Sequence, residues 1–327
     1  MASTEGKLNV SELDFTQIKE NLIGFLQNQA EFVGYNFRGS SFDVLLDVLA
    51  YNTHYNAYYA NMVANEMFLD SATLRNSVVA KAKHLGYLPR SAKGSKAVVD
   101  LTITPTGDPA VITIPRFTQF QGDVDGINYI WCTANAHALN INANLIYTVS
   151  NVELTQGIPI SYRYTAETAD VDQRYLLPNA NIDTDTLTVT VQTSKTESAS
   201  FAYDLANDIT TVNSTSRHYF LDEVDDGLYE VQFGDGILGK EVSNGNIITL
   251  AGLVTDTTAT NGCKNFSTVA DVGGYSNVKI VTVDAAGGGA ASADIQEIKF
   301  NAPKSFDAQN RCVTVYDYIS LVKRDFP

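Results

Sequence analysis

Three glycines and a lysine near the middle of the chain have the spacing of a phosphate-binding loop. Gly234, Gly236 and Gly239 match the pattern G-x-G-x-x-G, and Gly234, Gly239 and Lys240 match the first part of G-x-x-x-x-G-K-[ST]. Either pattern binds phosphate only where a strand leads into it and a helix follows, because the helix N-terminus supplies the N–H groups that hold the anion. The chemistry to test here is therefore nucleotide binding.

The elements around these glycines predict a strand but no helix. Residues 229–233 alternate between apolar and polar side chains, which is the period of a half-buried strand. Glu241 stands where a phosphate-binding loop needs a hydroxyl. Residues 243–246 predict a hairpin turn with positive φ at Asn244 and Gly245, and residues 247–250 predict the returning strand. We therefore expect a glycine-rich β loop with a structural turn formed by Phe233, Gly234, Gly236, Gly239 and Gly245.

No other group of residues has the spacing of a catalytic or metal site. None of the four histidines has the partner four residues away that a helical metal site requires. His54 shares one predicted helix face with Asp43 and Asp47, and we expect that face to be solvated. The acidic residues at 222–226 and Asp235 miss the ligand spacing of an EF-hand loop. The sequence therefore predicts no metal, no cofactor, no catalytic residue and no enzymatic activity.

Charge is distributed unevenly along the chain. Residues 1–99 carry nine Lys/Arg and nine Asp/Glu, whereas residues 100–327 carry 13 and 28, so the whole formal charge of −15 lies beyond residue 99. This change in composition predicts a domain boundary near residue 100. An acidic body does not favour nucleic acid as a partner, because phosphate neutralisation requires clustered basic side chains.

Membrane insertion, secretion and disulfide formation are not indicated. The sequence has no run of about 18 apolar residues, and its N-terminus lacks the apolar core of a signal peptide. Cys132, Cys263 and Cys312 are odd in number and far apart, which fits neither a metal site nor a disulfide framework. We expect buried free thiols, as in proteins made in a reducing cytosol, and no membrane partner.

Residues 11–88 have the apolar spacing of three helices. Asp14, followed by Gln three residues later, predicts the start of the first helix. The second is predicted from residue 40 or 41 to about residue 68. The third begins at residue 71 or 73 and ends at Gly86, which is suited to a left-handed helix terminator.

The second predicted helix has two apolar stripes. One stripe contains Phe42, Leu45, Leu46, Leu49, Asn52, Asn56, Val63 and Met67. The other stripe contains Val44, Val48, Tyr51, Tyr55, Tyr59 and Met62. The remaining face carries Asp43, Asp47, His54 and Asn61. A helix that is apolar on two sides packs between neighbours in a bundle.

Residues 51–61 within this helix are unusually rich in Asn and Tyr. Asn pairs fix register between helices, and Tyr combines apolar area with a hydrogen-bonding hydroxyl, so the composition is typical of a helix–helix interface. It also fits a bundle core within one chain, because core and interface look alike in sequence. The residues that we assign to a possible interface are Tyr51, Asn52, Tyr55, Asn56, Tyr59 and Met62.

Residues 71–99 contain six basic side chains and no carboxylate. Such a run is either a solvated face or a docking surface for an acidic body, for example the acidic half of another copy of this chain. The six residues are Arg75, Lys81, Lys83, Arg90, Lys93 and Lys96.

From residue 97 onward the apolar period changes to two. Strands are predicted at residues 99–103, 111–114, 129–133, 146–154, 186–192, 198–203, 217–221 and 278–283, with turns between them, as in antiparallel β domains. Residues 285–290 are rich in Gly and Ala and predict a flexible linker. A helix is predicted from Asp294 to just before Pro303, and a last helix is capped by Thr314 with Asp317 in its first turn.

Three separated segments, in order, carry a resemblance to a known family. The first segment has Leu-Ala-Tyr-Asn-Thr-His-Tyr-Asn at 49–56 and Gly-Tyr-Leu-Pro-Arg-Ser at 86–91. The second has Phe-Gly-Asp-Gly at 233–236, and the third runs from 287 to 318. Together they resemble the baseplate J-like family, the baseplate wedge proteins of contractile-tailed bacteriophages, and in particular the wedge-ring dimer proteins of myoviruses.

The resemblance implies a structural protein of the inner baseplate ring. In this family two copies join one neighbouring wedge protein through an N-terminal helical bundle, and adjacent wedges meet through the C-terminal region. The implied partners are a second copy in each wedge, other wedge proteins and sheath-proximal baseplate subunits. The implied location is the virion tail baseplate, after assembly in the host bacterial cytoplasm. The family continues into a further α/β domain, so we expect a truncated product or a shorter form.

Together the patterns predict an α+β fold, with an N-terminal helical bundle, mainly antiparallel β domains and a short C-terminal helical segment. The predicted divisions are a helical oligomerisation region at 1–96, a β domain at 97–225, a glycine-rich β region at 226–284, and a linker with helices at 285–327. The first functional hypothesis is a structural component of a contractile tail baseplate. The alternatives are a glycan-binding tail adhesin that exposes Tyr162, Tyr164 and Tyr175, and an NTPase that uses Lys240.

Overall fold

The computed structural model of the chain describes residues 14–105, 107, 109–140, 146–167, 173–206, 212–308, 311, 313–315, 317–319 and 322. Cys312 lies outside these residues. The predicted α+β class is confirmed, with helices first, antiparallel sheets next and a helix after them. The chain divides into two compact units, Met1–Leu85 and Gly86–Pro327, called here the helical unit and the β unit. The four-part division expected from the sequence stays a prediction.

From residue 14 onward, where its description begins, the helical unit contains three α-helices. They are α1 Phe15–Gln27, α2 Ser41–Glu66 and α3 Arg75–His84. The predicted start of α1 is confirmed, because the Asp14 carboxylate accepts a hydrogen bond from the Gln17 N–H at 2.9 Å. The chain after α3 passes through Gly86 with φ of +70°, the left-handed conformation that the sequence predicted there.

The interior of the helical unit includes a buried apolar cluster of Ile23, Phe37 and Leu46. Other buried apolar residues of this unit are Ala50, Ala72, Val78, Val79 and Ala82. Lys19 of α1 forms ion pairs with Asp43 (2.9 Å) and Asp47 (2.6 Å) of α2, which hold α1 along the N-terminal half of α2. The expectation that the Asp43 and Asp47 face is solvated is therefore wrong: α1 binds this face.

Among its described residues, the β unit contains fifteen strands and one long α-helix, and residues 315, 317–319 and 322 are also helical, where the sequence predicts the last helix. The strands are β1 Lys96–Ile103, β2 Val111–Ile114, β3 Gln119–Val124, β4 Ile127–Thr133, β5 His137–Asn140, β6 Tyr147–Gln156, β7 Ile158–Thr165, β8 Arg174–Leu177, β9 Ile182–Gln192, β10 Ser200–Leu205, β11 His218–Glu223, β12 Tyr229–Phe233, β13 Ile247–Val254, β14 Phe266–Thr268 and β15 Val278–Gly287. The helix is α4, Ile295–Ala308. Every strand predicted from the sequence overlaps one of these.

Six strands form the first sheet, in the order β14-β3-β4-β6-β1-β15, and all its pairs are antiparallel. Alternate residues of β1 are buried in a core that includes Trp131. The Gly262 N–H donates to the Ala286 carbonyl (2.7 Å), and the Ala286 N–H donates to the Cys263 carbonyl (2.9 Å). The segment that precedes β14 thus bonds to β15, and the sheet closes on itself.

Seven strands form the second sheet, in the order β7-β13-β9-β10-β11-β12-β8. Only the short β10–β11 pair is parallel. The edge strands β7 and β8 are bridged by Tyr164, whose hydroxyl donates to the Leu176 carbonyl and whose ring lies 5.6 Å from the ring of Tyr175. A small third sheet pairs β2 with β5.

The hairpin predicted around the glycine loop is wrong. Strands form on both sides of the loop, but β12 and β13 are separated in the sheet by β9, β10 and β11. The turn at residues 243–246 does form, with positive φ at Gly245 but not at Asn244, and the Gly245 N–H donates to the Ala166 carbonyl at 2.9 Å, beside the end of β7. Strand β13 pairs with β7 on one side and β9 on the other, and most of its residues are buried.

Two expectations near the C-terminal end of the β unit are also wrong. Residues 285–290 are not a flexible linker, because β15 extends to Gly287 and Ala290 exchanges two backbone hydrogen bonds with Lys93. The helix that begins after Asp294 does not end before Pro303, which lies inside α4. Burial of residues on both sides of Pro303 offsets the cost of a proline within the helix.

Candidate interaction surface

Helix α2 leaves most of its apolar side chains uncovered. Leu46 and Ala50 are buried, but the exposed fraction of the other large apolar side chains runs from 38% at Met62 to 65% at Val44. The exposed residues between these positions are Leu45, Val48, Leu49, Tyr51, Tyr55, Tyr58 and Tyr59. An exposed apolar surface of this extent is typical of a site that another protein covers.

These exposed residues form two stripes with alternating steps of four and three residues. The first seam is Leu45, Leu49, Asn52, Asn56, Tyr59 and Val63. The second seam is Val44, Val48, Tyr51, Tyr55, Tyr58 and Met62. Steps of four and three are the spacing of the contact positions in a coiled coil. The stripes expected from the sequence change at five residues. Leu46 is buried in the cluster with Ile23, and the ring of Phe42 contacts that of Phe32 in the segment before α2. Met67 falls outside the regular spacing of the first seam. Tyr59 moves to the first seam, and Tyr58 takes its place in the second.

Formal charge is absent from the exposed C-terminal half of α2. No Asp, Glu, Lys or Arg lies between Asp47 and Glu66. Asp47 is bound by Lys19, and Glu66 accepts hydrogen bonds from the backbone N–H and the hydroxyl of Thr73, both at 2.7 Å. Burial opposes ionisation of Glu66, but the hydrogen bonds from Thr73 and Leu74 outweigh it and lower the pKa of the carboxyl. A partner can therefore cover the seams without burying an unpaired charge.

The six residues expected to form an interface lie together on this exposed face. Neighbouring tyrosine rings contact one another, with centroids 4.6 Å apart for Tyr51 and Tyr55 and 6.2 Å apart for Tyr55 and Tyr59. Asn52 and Asn56 are exposed in the first seam. An interface role for these residues, with Met62, stays a prediction.

The glycine loop after β12 is shaped by close backbone contacts. A Cβ atom on Gly234 would lie 2.3 Å from the Leu238 carbonyl oxygen, so only glycine fits there. Gly236 and Gly239 have φ of +84° and +92°, which favours glycine. The Asp235 carboxylate accepts the N–H groups of Ile237 and Leu238, both at 2.9 Å, and these bonds lower the pKa of Asp235.

This loop does not have the geometry of a nucleotide site. Residues 240–246 form no helix, so no helix N-terminus faces the glycines. The Lys240 N–H instead donates to the Ser216 carbonyl at 2.8 Å. Phe233 packs its ring 5.2 Å from that of Tyr203 and 5.6 Å from that of Tyr175. These contacts fix the loop to the second sheet. The structural role expected of Phe233 and the glycines stays a prediction.

Other expected sites have mixed outcomes within the described part of the chain. No group of three or more His, Cys, Asp or Glu there could hold a metal ion, and no helix there is long and apolar enough to cross a membrane. Cys132 and Cys263 are buried free thiols, as predicted. Burial raises the pKa of Cys132 to about 12, so this thiol does not form a reactive thiolate near neutral pH.

The three tyrosines expected to be exposed for glycan binding are not. Tyr175 is buried, and Tyr162 and Tyr164 are half-buried against the core of the second sheet. Glycan-binding proteins that rely on stacking need uncovered aromatic faces, so this arrangement does not favour an adhesin.

The basic run at 71–99 is not one continuous docking surface. Three of its six side chains pair with carboxylates of the same β unit. The pairs are Arg90 with Glu297 (3.1 Å), Lys93 with Asp185 (3.0 Å) and Lys96 with Glu153 (2.8 Å). The sequence suggested that an acidic surface of another copy could bind this run. For these three side chains, carboxylates of the same chain bind them instead.

The helical unit matches a known family. Residues 14–87 match the family described as baseplate wedge protein gp6-like, helical domain. The chain is also 29% identical, over 342 aligned positions, to the baseplate wedge protein gp6 of Enterobacteria phage T4. That alignment covers 95% of this chain and 50% of the phage T4 protein, so the chain spans about half the length of the curated relative that it matches. The resemblance to phage baseplate wedge proteins expected from the sequence is confirmed.

A solved structure also aligns with the chain, at low similarity. It is a chain of the cryo-EM structure of the anti-feeding prophage baseplate, 6-fold symmetrised. The alignment has 11% identity, covers 97% of this chain and 65% of that chain, and has a TM-score of 0.32.

Proposed function

We propose that this chain is a structural component of a contractile phage tail baseplate that acts by assembly and not by catalysis. The sequence similarity to a baseplate wedge protein along nearly the whole chain supports this role, as does the family match of the helical unit. The observation that carries the proposal is the exposed apolar face of α2, which is free of formal charge between Asp47 and Glu66. A helix that completes a bundle with other chains requires such a surface.

In this proposal α2 contacts two other helices, one through each seam. Each seam has the spacing of one coiled-coil contact, and the two seams are adjacent on the helix. The smallest closed arrangement that covers both seams contains three helices. We propose that a second copy of this chain supplies one of them and another wedge protein supplies the third.

The two asparagines of the first seam would then set the register. Asn52 and Asn56 are one helical turn apart, at successive contact positions among apolar neighbours. A buried amide is tolerated only where a partner amide bonds to it, so only some alignments of the helices satisfy both. The tyrosines beside them add apolar area with hydroxyls that can reach solvent.

The proposal can be tested with the full chain in solution. Native mass spectrometry of the wild type should show self-association, and a double variant Val48→Lys with Tyr55→Lys should be monomeric, because both side chains would bring charge into the second seam. Both residues are exposed in the single chain, so circular dichroism should not change. The matched control is Val281→Lys with Val283→Lys, two comparably exposed valines on β15 of the β unit.

The location of the protein needs a separate experiment. Quantitative mass spectrometry of purified tails should find its peptides at two copies per wedge, and antibody labelling should mark the baseplate end. Absence from tails would contradict the proposed function. Self-association that persists in the seam variant would contradict only the role of α2.

A further inference from the structure

Residues 89–95, called here the strap, are buried although they form no helix and only one isolated β-bridge. Ser91, Ala92 and Ser95 are at most 2% exposed. Irregular segments usually run over the surface, because buried backbone groups must find hydrogen-bond partners. The partners that this strap finds belong to several different elements of the β unit.

The strap is bonded to the second sheet at three points. The Tyr229 hydroxyl of β12 donates to the Pro89 carbonyl at 3.2 Å. The Ser91 hydroxyl lies 2.8 Å from the Thr184 hydroxyl of β9 and accepts the Thr184 N–H at 3.1 Å. The Gly94 N–H donates to the buried Asp183 carboxylate at 3.0 Å.

The same few residues are also bonded to the first sheet and to α4. At one end of the strap, the Ser95 carbonyl accepts the Gln156 N–H of β6 at 2.9 Å, and its hydroxyl lies 2.6 Å from that of Thr260. Near the other end, the Arg90 guanidinium donates to the Ala291 carbonyl at 2.7 Å and pairs with Glu297 of α4. The Arg90 side chain is only 8% exposed.

Gly94 is the point where the strap passes closest to the first sheet. A Cβ atom on Gly94 would lie 2.3 Å from the Gln156 carbonyl oxygen and 3.3 Å from the Thr155 side chain. The contact is with backbone, so a larger residue cannot be accommodated by a change of rotamer. Gly94 thus bonds to one sheet while its Cα packs against the other.

We propose that the strap is a coupling device that makes the two larger sheets and α4 open as one cooperative body. Its seven residues bond to the second sheet through Tyr229, Asp183 and Thr184, to the first sheet through Gln156, and to α4 through Glu297. The strap follows the helical unit closely in the chain, so a displacement of the helical unit is passed along the backbone into a segment that both sheets hold. This extends the proposed function, since a baseplate subunit must pass movement between its assembly contacts.

Hydrogen exchange by mass spectrometry on the full chain tests this inference. In the wild type, the slowest amides of β6 in the first sheet and β12 in the second should exchange through the same opening, at rates within about twofold of each other once corrected for intrinsic exchange. In Gly94→Ala the two sheets should open independently. The ratio of the β6 and β12 exchange rates should change roughly fivefold to tenfold, as expected for loss of one or two hydrogen bonds.

Gly287→Ala is the matched control, because Gly287 lies on β15 with nothing within 4 Å of an added Cβ and without positive φ. It should leave the two sheets coupled. If Gly94→Ala does not fold, Ser91→Ala with Tyr229→Phe removes three hydrogen bonds to the second sheet without adding an atom to the strap, and it should uncouple the sheets in the same direction. The proposal is overturned if the wild-type sheets already open separately, or if the strap variants accelerate both sheets equally. The hydrogen-exchange results do not depend on assembly with other chains. Failure of this inference can therefore be distinguished from failure of the proposed function.

Discussion

The helical unit and the β unit use their apolar residues in different ways. In the β unit, apolar side chains at every second strand position are buried in two large cores, one around Trp131 and one around Val231 and Leu250. In the helical unit, one buried cluster is centred on Ile23, Phe37 and Leu46, while the longest helix exposes eleven large apolar side chains. The β unit completes its own interior, whereas the helical unit does not.

This difference separates two roles of apolar residues, stabilising the folded single chain and binding a partner, which sequence composition does not distinguish. Apolar residues of the β unit contribute to the free energy of unfolding of the single chain, because folding removes them from water. The exposed apolar residues of α2 contribute little until a partner covers them. Substitutions in the two regions should therefore affect different measurements, and the following predictions test that separation in order of decreasing effect.

The largest effect is expected from Leu101→Ala in the first sheet. Leu101 is fully buried in β1, so the substitution removes apolar contacts and leaves a cavity. We expect a loss of about 2–5 kcal/mol in the free energy of unfolding, measured by chemical denaturation followed by circular dichroism. Val281→Ala on neighbouring β15, where the side chain is half-exposed, should cost less than half as much. Equal losses would contradict the description of this core.

The second prediction concerns Asn52→Leu with Asn56→Leu. Helix content and the unfolding transition of the β unit should not change, because both side chains are exposed in the single chain. Assembly should lose specificity, since apolar contact positions accept several registers and oligomer states. Native mass spectrometry should show a wider distribution of oligomers than for the wild type. A distribution and a yield of assembled wedges equal to those of the wild type would argue against a role of these amides in an interface.

The third prediction is a pH dependence of the β unit. Burial raises the pKa of Asp183 to about 6 from an ordinary value of 3.8; the nearby Asp185 also raises it, whereas Lys93 and the N–H groups of Gly94 and Asp185 lower it. The folded state then binds the proton more tightly than the unfolded state. The resulting stabilisation is complete below the ordinary pKa and is lost as the pH rises through about 6.

We therefore expect this carboxyl to lower the free energy of unfolding by about 1 kcal/mol between pH 5 and pH 7. Denaturation curves at several pH values measure the slope, and Asp183→Asn, which cannot titrate, should reduce it. Asp204→Asn is the control for an exposed carboxylate on β10 of the same sheet. A slope that survives in Asp183→Asn would assign the pH dependence to other groups.

The smallest effect is expected from Glu66→Gln in the helical unit. Glu66 accepts two backbone N–H groups and one hydroxyl at the start of α3, and the amide retains only one acceptor oxygen. We expect a loss of roughly 0.5–1 kcal/mol, confined to α3 and visible as faster hydrogen exchange of its amides. Because the pKa of Glu66 is lowered, the same loss should appear in the wild type as the pH falls through that pKa. Exchange that changes equally in the β unit would contradict a local role.

Local signals predicted many elements and failed where pairing is decided at long range. Asp14, Gly86 and Asp294 marked helix boundaries correctly, because capping depends on residues within one turn. The predicted hairpin between β12 and β13 was wrong. The turn at residues 243–246 does form, but the strand that follows it, β13, pairs with β7, about 80 residues earlier in the chain. Strands β5, β8 and β14 were missed because they have only three or four residues, and β3 lacks a clear alternation. Strand β7 does alternate, with Ile158, Ile160, Tyr162 and Tyr164 at every second position, and the prediction missed that signal.

The surface of α2 shows a second limit of the sequence. Two apolar stripes and one polar face were visible, but the sequence could not tell which of them the chain itself covers. Lys19 decided this, because its ion pairs with Asp43 and Asp47 place α1 over the polar face and leave the apolar stripes exposed. An isolated lysine in α1 gave no signal of that role, since its partners are more than twenty residues away.

The bonds between the edges of the first sheet affect how the protein behaves where many copies lie close together. Open strand edges carry unpaired N–H and carbonyl groups and can join with the edges of neighbouring molecules, which leads to aggregation. Wherever many copies are held side by side, the effective concentration of each for its neighbours is high. The bonds that join residues 262–263 to Ala286 occupy backbone groups between the edges of the first sheet, and the Tyr164 hydroxyl occupies the Leu176 carbonyl at the β8 edge of the second. Tethered copies thus have fewer open edge groups through which their β units can join.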